Sequence, residues 1–338
     1  MSTFWFLILG FLLGGYAVLD GFDLGVGILH LWVARTNEER RIVLNAIGPV
    51  WDGNEVWLIT GAASLFLAFP AVYAAGFSGF YLPLIMVLWM LMGRGLSLEF
   101  RGRLDDPLWR LALDVIFSVS SFLLVLVFGV ALGNVVNGVP VNPQGYYQGL
   151  FAWILNPYAL LVGLLGLVLL TLHGANYLSM KTDGLVQARA QRAASVLWLP
   201  LVVLVVITTV ATFLARSEMG INYHNFPLWV LVPLATAVLL VALRVFRQRG
   251  QDTHAFLNSA GLILALFAST AIGLYPYLLP SRPHPERSFT VNNAAASSGS
   301  LFPATIWVSF ALVLILGYTV FVYRTFKGKV VLEEGGHY

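Results

Sequence analysis

The feature that most constrains this chain is its run of long apolar stretches. About nine segments of roughly 20 residues or more carry almost no charge, each long enough to cross about 30 Å of hydrocarbon at 1.5 Å per residue. Hydrophobic residues make up 59% of the chain against 10% charged, and the mean hydropathy is +0.82. A soluble domain is wetted by roughly a quarter of its residues being charged, so lipid is the solvent here. The apolar residues come in continuous runs without period-2 alternation, which excludes a membrane barrel. The expectation is an all-α integral membrane protein with helices near 4–33, 47–70, 76–100, 111–136, 153–179, 193–216, 226–247, 254–278 and 302–325.

Charge placement gives orientation. Fifteen of the nineteen Lys and Arg residues fall in the loops after odd-numbered segments or in the C-terminal tail, and only Arg216, Arg282 and Arg287 fall on the other side. The positive-inside bias puts the C-terminus in the cytoplasm and the N-terminus outside. The pI near 9.2 therefore reflects membrane topology, not a nucleic-acid surface. The chain has no cysteine, which excludes disulfides, thiolate-held iron–sulfur clusters and Cys-based zinc sites. Met1 opens an apolar stretch without a basic leader region, so this stretch reads as a retained first span. The segments 138–149 and 281–300 read as outer surface loops without a catalytic motif.

Ionisable groups inside spans cost on the order of 2.5–3.5 kcal/mol each on insertion scales, so each needs a reason. Asp20 and Asp23 stand three apart in the first span, on one helix face, and Asp52 and Glu55 repeat that spacing in the second. Counted from the basic loop between them, both pairs lie roughly 15–20 Å deep. Arg94 in the third span and His173 in the fifth come out at roughly 12–13 Å, with Glu99 and Asp114 nearer the surface. Several acids around one cation suit groups that bind and release protons, or that pair with a partner subunit; an Arg94–carboxylate network fixing the helices is the alternative. His173 reads as a hydrogen-bonded core histidine in preference to a haem ligand, and His30 and His254 lie near helix ends. Gly10, Gly14, Gly21 and Gly25 have the spacing of close helix packing. Leu172-His173-Gly174 weakly repeats Leu19-Asp20-Gly21, as two related four-helix bundles with an added ninth helix would.

The motifs LDGFDLGVG (19–27), GPVWDGNEVWL (48–58), AGFSGFY (75–81), GRGLSLEFR (93–101) and GNVVNGVP (133–140) resemble those of subunit II of the cytochrome bd quinol oxidases. The resemblance runs the length of the chain and is densest in the first 140 residues. It implies two four-helix bundles plus one peripheral helix, placed here at 1–140, 150–280 and 301–338. It implies a heterodimer with a subunit I that carries two haems b and one haem d, while this chain ligates none. It also allows a small single-helix accessory subunit and a structural quinone. The implied reaction is quinol-driven reduction of dioxygen to water at a bacterial or archaeal cell membrane, with protons drawn from the cytoplasm. Asp52 matches the family carboxylate at the subunit interface on a proton route, and Asp20 and Asp23 match motif acids of that region. Glu55 stands where some members have Gln. A proton-coupled secondary transporter would also use midspan acids, but the acids here gather toward one side and no helices break at matching positions of the two halves.

Overall fold

The computed structural model describes residues 1–149 and 151–331. Thirteen α-helices occur among them. In chain order they are α1 (Ser2–Val33), α2 (Asn37–Ile47), α3 (Trp51–Ala68), α4 (Pro70–Gly79), α5 (Tyr81–Phe100), α6 (Pro107–Asn137) and α7 (Phe151–Ile154). There follow α8 (Pro157–Lys181), α9 (Gly184–Ala215), α10 (Ile221–Asn225), α11 (Leu231–Gln248), α12 (Asp252–Leu274) and α13 (Ser298–Thr325). Eight of these, with α11 extended back to Pro227, are long and apolar enough to cross a membrane. The expected segment missing from these eight is the second, which corresponds to α3, whose first turn and a half carries Asp52, Asn54 and Glu55. The expected tail, His337 included, lies from 332 onward outside the described residues.

Where the helices begin follows from local chemistry. Pro107 and Pro157 occupy first-turn positions where no amide donor is needed, behind the side-chain caps Asp106 and Asn156. Each cap accepts from first-turn amides, at 2.7 and 2.9 Å for Asp106 and 2.9 Å for Asn156. The second expected segment does not run straight on from the basic loop. Thr36 and Glu39 form a capping box that starts α2 as a separate helix. Pro49 cannot donate to the preceding turn, so α2 ends at Ile47 and α3 restarts at Trp51. The expected third helix likewise divides, into α4 and α5 at Phe80. α9 begins nine residues earlier than its apolar run, because Gln187, Arg189 and Gln191 carry the helix past the hydrocarbon and find partners on Asp252 and Glu39.

α1 is the hub. It packs on α3, α6, α8 and α12, while α5 covers α6. α8 packs on α9 and α12, and α11 on α12, so the second group of four stands against the first across α1, α6 and α8. α13 lies at the periphery, mainly against α3. The two groups meet where side chains vanish: a Cβ on Gly25 would fall 1.9 Å from the Leu170 carbonyl oxygen, and one on Gly174 would fall 2.4 Å from the Gly25 backbone. Gly129 and Gly133 of α6 meet Gly163 and Ala159 of α8 in the same way. Gly10, by contrast, has nothing within 4 Å. Outside the helices, β1 (Tyr277–Leu279) and β2 (Phe289–Thr290) pair antiparallel. The 138–149 segment lies against this hairpin's loop, with Val139 N–H donating to the Pro280 carbonyl at 3.0 Å.

Gly25→Val therefore leaves the backbone of α8 no room. Overpacking typically costs about 1–3 kcal/mol, and more where the obstacle is backbone. The expected outcome is loss of the mature subunit from membranes by quantitative immunoblot, while Gly10→Ala accumulates normally; equal accumulation of both would refute the tight crossing.

Candidate functional site: a buried acid cluster on three helices

Three helices converge on one guanidinium. Arg94 of α5 is fully buried, and its Nη2 donates to Asp20 of α1 at 2.5 Å and lies 3.8 Å from Asp23. Its Nη1 donates to Glu55 of α3 at 2.9 Å. The indole of Trp51 stands 6.0 Å from its Cζ, at the limit of a cation–π contact. Asp20 and Asp23 share a face of α1 because three residues turn a helix through most of one revolution, and both are fully buried. Glu55 keeps about a fifth of its side chain exposed. The structure thus brings Asp20, Asp23, Glu55 and Arg94 together at one level.

Asp52 does not join them. It stands exposed on the first turn of α3, outside the Arg94 fork. The depth arithmetic of the sequence treated Arg41 to Asp52 as one helix, whereas α2 and the Gly48–Val50 turn interrupt it. Asp52 is therefore near the start of its span and faces out of this chain.

Two contributors escaped the sequence reading. The amide of Asn54, buried on α3, donates to Asp23 at 2.7 Å and to the Leu19 carbonyl at 3.1 Å. The hydroxyl of Tyr323, on α13, donates to the Asn54 side-chain oxygen at 3.1 Å. Asn54 carried a weak signal, since it shares the acid-rich first turn of α3; Tyr323 is 269 residues away and carried none. Around this frame several buried polar atoms have no protein partner: Asp23 Oδ1, Arg94 Nε and Trp57 Nε1. A shell of orphaned donors and acceptors of both kinds suits internal water.

A second cluster lies toward the basic end. Asp114 of α6, expected shallower in the membrane than the acid pairs, lies at this end and is buried within the chain, and its Oδ1 accepts from Arg101 Nε and pairs with His30 Nε2, both at 2.6 Å. Its Oδ2 accepts from Arg40 at 2.9 Å and from Arg101 Nη2 at 3.1 Å. Arg101 also donates to Asn37 at 2.9 Å. Here one acid holds two arginines and a histidine, which ties α1, α2, the end of α5 and α6 together. Beside it, Glu39 accepts from the Arg35 and Thr36 amides at 2.6 and 3.2 Å and from Arg189 at 2.8 Å. Partial burial pushes the Glu39 carboxyl up, but these donors outweigh it and hold it below the usual carboxylate range.

His173 of α8 uses both ring nitrogens, one with Ser259 at 2.7 Å and the other with the Val18 carbonyl at 3.0 Å, and stacks on Phe256 at 4.9 Å. Those bonds make it a core histidine joining α1, α8 and α12. Among the described residues no group of three or more His, Asp or Glu side chains is arranged to hold a metal ion.

Residues 1–326 match the family described as cytochrome bd terminal oxidase subunit II. The chain is 34% identical to the cytochrome bd-I ubiquinol oxidase subunit 2 of Escherichia coli K12, over 98% of this chain and 95% of that one. It is 35% identical to a probable cytochrome oxidase subunit 2 of Haemophilus influenzae, over 96% and 94%. It is 32% identical to the cytochrome bd ubiquinol oxidase subunit 2 of Bacillus subtilis, over 99% and 98%. Its fold matches a chain in the structure of bd oxidase from Geobacillus thermodenitrificans with a TM-score of 0.78, covering 96% and 98% at 18% identity.

Removing Arg94 leaves three acids without their cation. Breaking a buried ion pair from one side costs about 3–5 kcal/mol. Arg94→Gln is expected to lower the thermal unfolding temperature in detergent sharply. Arg94→Lys, which keeps charge but loses the fork, should fall between; unaltered unfolding in Arg94→Gln would deny the cluster its structural role. For Glu39, lowered in the folded state, the stabilisation is present above the ordinary carboxylate pKa and is lost as pH falls through the folded one. Glu39→Gln should therefore narrow the stability difference between neutral and acidic pH.

Proposed function

The chain belongs to the subunit II family of the cytochrome bd terminal oxidases, and from that premise we propose that it is the partner of a haem-bearing subunit I and feeds protons to it from the cytoplasmic side. The complex oxidises quinol and reduces dioxygen to water. The two haems b and the haem d are carried by subunit I, and this chain ligates none. The N-terminus lies outside and the C-terminus in the cytoplasm, in keeping with fifteen Lys and Arg residues on one side against three on the other.

One observation carries the proton reading: three carboxylates share one buried guanidinium. Fully ionised, the group would hold two uncompensated negative charges away from water, which costs several kcal/mol per ion. Protons neutralise that excess at least cost, and a group that must hold protons at rest can also pass them on. Asp20 and Asp23 are the inner acids, Glu55 the partly open one, and Arg94 sets the charge about which they exchange. Asp52, exposed on the adjoining turn, is the acid free to meet a covering subunit. The Asp114 cluster is different in kind, since cations outnumber the acid there; it fixes the cytoplasmic ends of the helices and so supports the stabilising role toward subunit I.

Purification in mild detergent should bring down a second membrane polypeptide with haem b and haem d bands in a reduced-minus-oxidised spectrum. A haem-free chain purifying alone from cells that express the oxidase would contradict the subunit assignment. In the assembled complex, Asp23→Asn and Asp52→Asn should each cut quinol oxidase turnover at least roughly tenfold, the equivalent of about 1.4 kcal/mol of barrier, with the haem spectrum unchanged. Full turnover in both would remove the proton role.

A further inference from the structure

A cavity of about 710 Å³ opens at the end of the bundle that carries the basic loops. Its walls come from four places: Asn45 beside the α2–α3 turn, Tyr177 and Lys181 of α8, Thr253 of α12, and Tyr323 of α13 with the segment 326–331 that follows it. This is many times the roughly 30 Å³ that one water occupies in the liquid, and the walls mix amide, hydroxyl and ammonium groups with aromatic rings. At its inner end stands Tyr323, whose hydroxyl bonds Asn54, which in turn bonds Asp23 of the acid cluster. Two side chains, Tyr323 and Asn54, link the cavity wall to the buried Asp23 carboxylate.

We propose that this cavity is the aqueous entrance to the acid cluster within the chain itself, and that Tyr323 is the positioning residue at its inner end. The inference rests on the proton reading above and adds to it a route that does not pass through the exposed Asp52. An amide does not relay protons at ordinary cost, so Asn54 is a strut: it fixes the Asp23 carboxylate while Tyr323 fixes Asn54. Water conducts the proton. The unpartnered Asp23 Oδ1 and Arg94 Nε supply polar contacts that a short water chain needs at the inner end. Each proton accepted by a cluster carboxylate is matched by one given up toward the oxygen-reducing subunit, so the cluster ends each cycle with its starting charge.

The architecture of α13 fits this role. The helix is loosely packed along most of its length, yet its cytoplasmic end is tied down. Lys181 Nζ donates to the Phe326 carbonyl at 2.7 Å, the Val330 amide donates to the Lys181 carbonyl at 2.8 Å, and Lys329 pairs with Asp183. Tyr177 closes the floor by donating to the Ala46 carbonyl at 2.8 Å, and its ring stacks on Phe22 at 4.0 Å. The tied end keeps the cavity wall and the Tyr323 strut in register while the rest of the helix faces lipid.

The chain has no cysteine of its own, which makes a plugging experiment clean. Thr253→Cys, at the rim, is made in the assembled complex and treated with a bulky, membrane-impermeant thiol reagent in everted and in right-side-out vesicles. Labelling is expected only in everted vesicles. It should slow quinol oxidase turnover several-fold against the same protein unlabelled, most strongly at high pH where protons are scarce, with the haem spectrum unchanged. Tyr323→Phe, which keeps the ring, should slow proton uptake and move the pH profile of turnover without changing haem content. Complete labelling with no loss of turnover, or no labelling from the cytoplasmic face, overturns the entrance, as does a wild-type pH profile in Tyr323→Phe. If the entrance fails while Asp23→Asn still slows turnover, the acid cluster keeps its role and is fed from elsewhere; if Asp23→Asn is also silent, the proton reading itself has failed.

Discussion

The structure depends on one buried arginine. Arg94 reaches from α5 to α1 and α3 and is fully enclosed. A guanidinium cannot shed its proton in a protein, so its charge is permanent and must be met by acids wherever it is buried. That requirement fixes the rotation of α1, which must present both Asp20 and Asp23, and of α3, which must present Glu55. Because α1 is also the hub against α6, α8 and α12, its rotation sets the faces seen by the second group of helices. The glycine crossing of Gly25 on Gly174 then works in one register only.

The two charged clusters divide the work by opposite imbalance. Around Arg94 acids outnumber the cation, and around Asp114 cations outnumber the acid. In the second both carboxylate oxygens are bonded, the atoms without a protein partner there, His30 Nδ1 and Arg40 Nε, belong to its basic groups, and it clasps the segments that join the helices at their basic end. The first is left with an open carboxylate oxygen, Asp23 Oδ1, and a free guanidinium nitrogen. A carboxylate with both oxygens bonded holds a structure still, whereas one with an open oxygen can change its protonation without moving helices. This contrast is the physical reason for assigning proton exchange to one and anchoring to the other.

Much of this was legible in the sequence because hydropathy and helical spacing are local. The apolar runs mark the membrane helices, the three-residue spacing of Asp20 and Asp23 marks a shared face, and the rise per residue puts Arg94 near their level. The arithmetic failed for Asp52, since it assumed a straight helix across Gly48 and Pro49, where the chain turns and starts again at Trp51. It gave no sign that Asp114 and His30, which sit where apolar runs meet the basic loops, are buried. Their burial depends on Arg40 and Arg101 folding inward, and no spacing rule reports that. Gly10 and Gly25 have the same local pattern, yet only Gly25 meets backbone. Tyr323 and Asn54 join residues from opposite ends of the chain, a relation only the fold can express.

The central claim is that the Arg94 cluster holds a proton that moves during turnover. Redox-triggered infrared difference spectroscopy on the purified two-subunit complex tests it most directly, because a protonated carboxyl has a carbonyl stretch separate from those of carboxylate and amide. The account predicts a carboxylic-acid band that appears or shifts between oxidised and reduced enzyme, moves in deuterated water, and is lost or displaced in Asp23→Asn or Asp20→Asn. A difference spectrum in which no carboxylic-acid band responds to any substitution among Asp20, Asp23 and Glu55 would contradict it and leave the cluster a purely structural clamp.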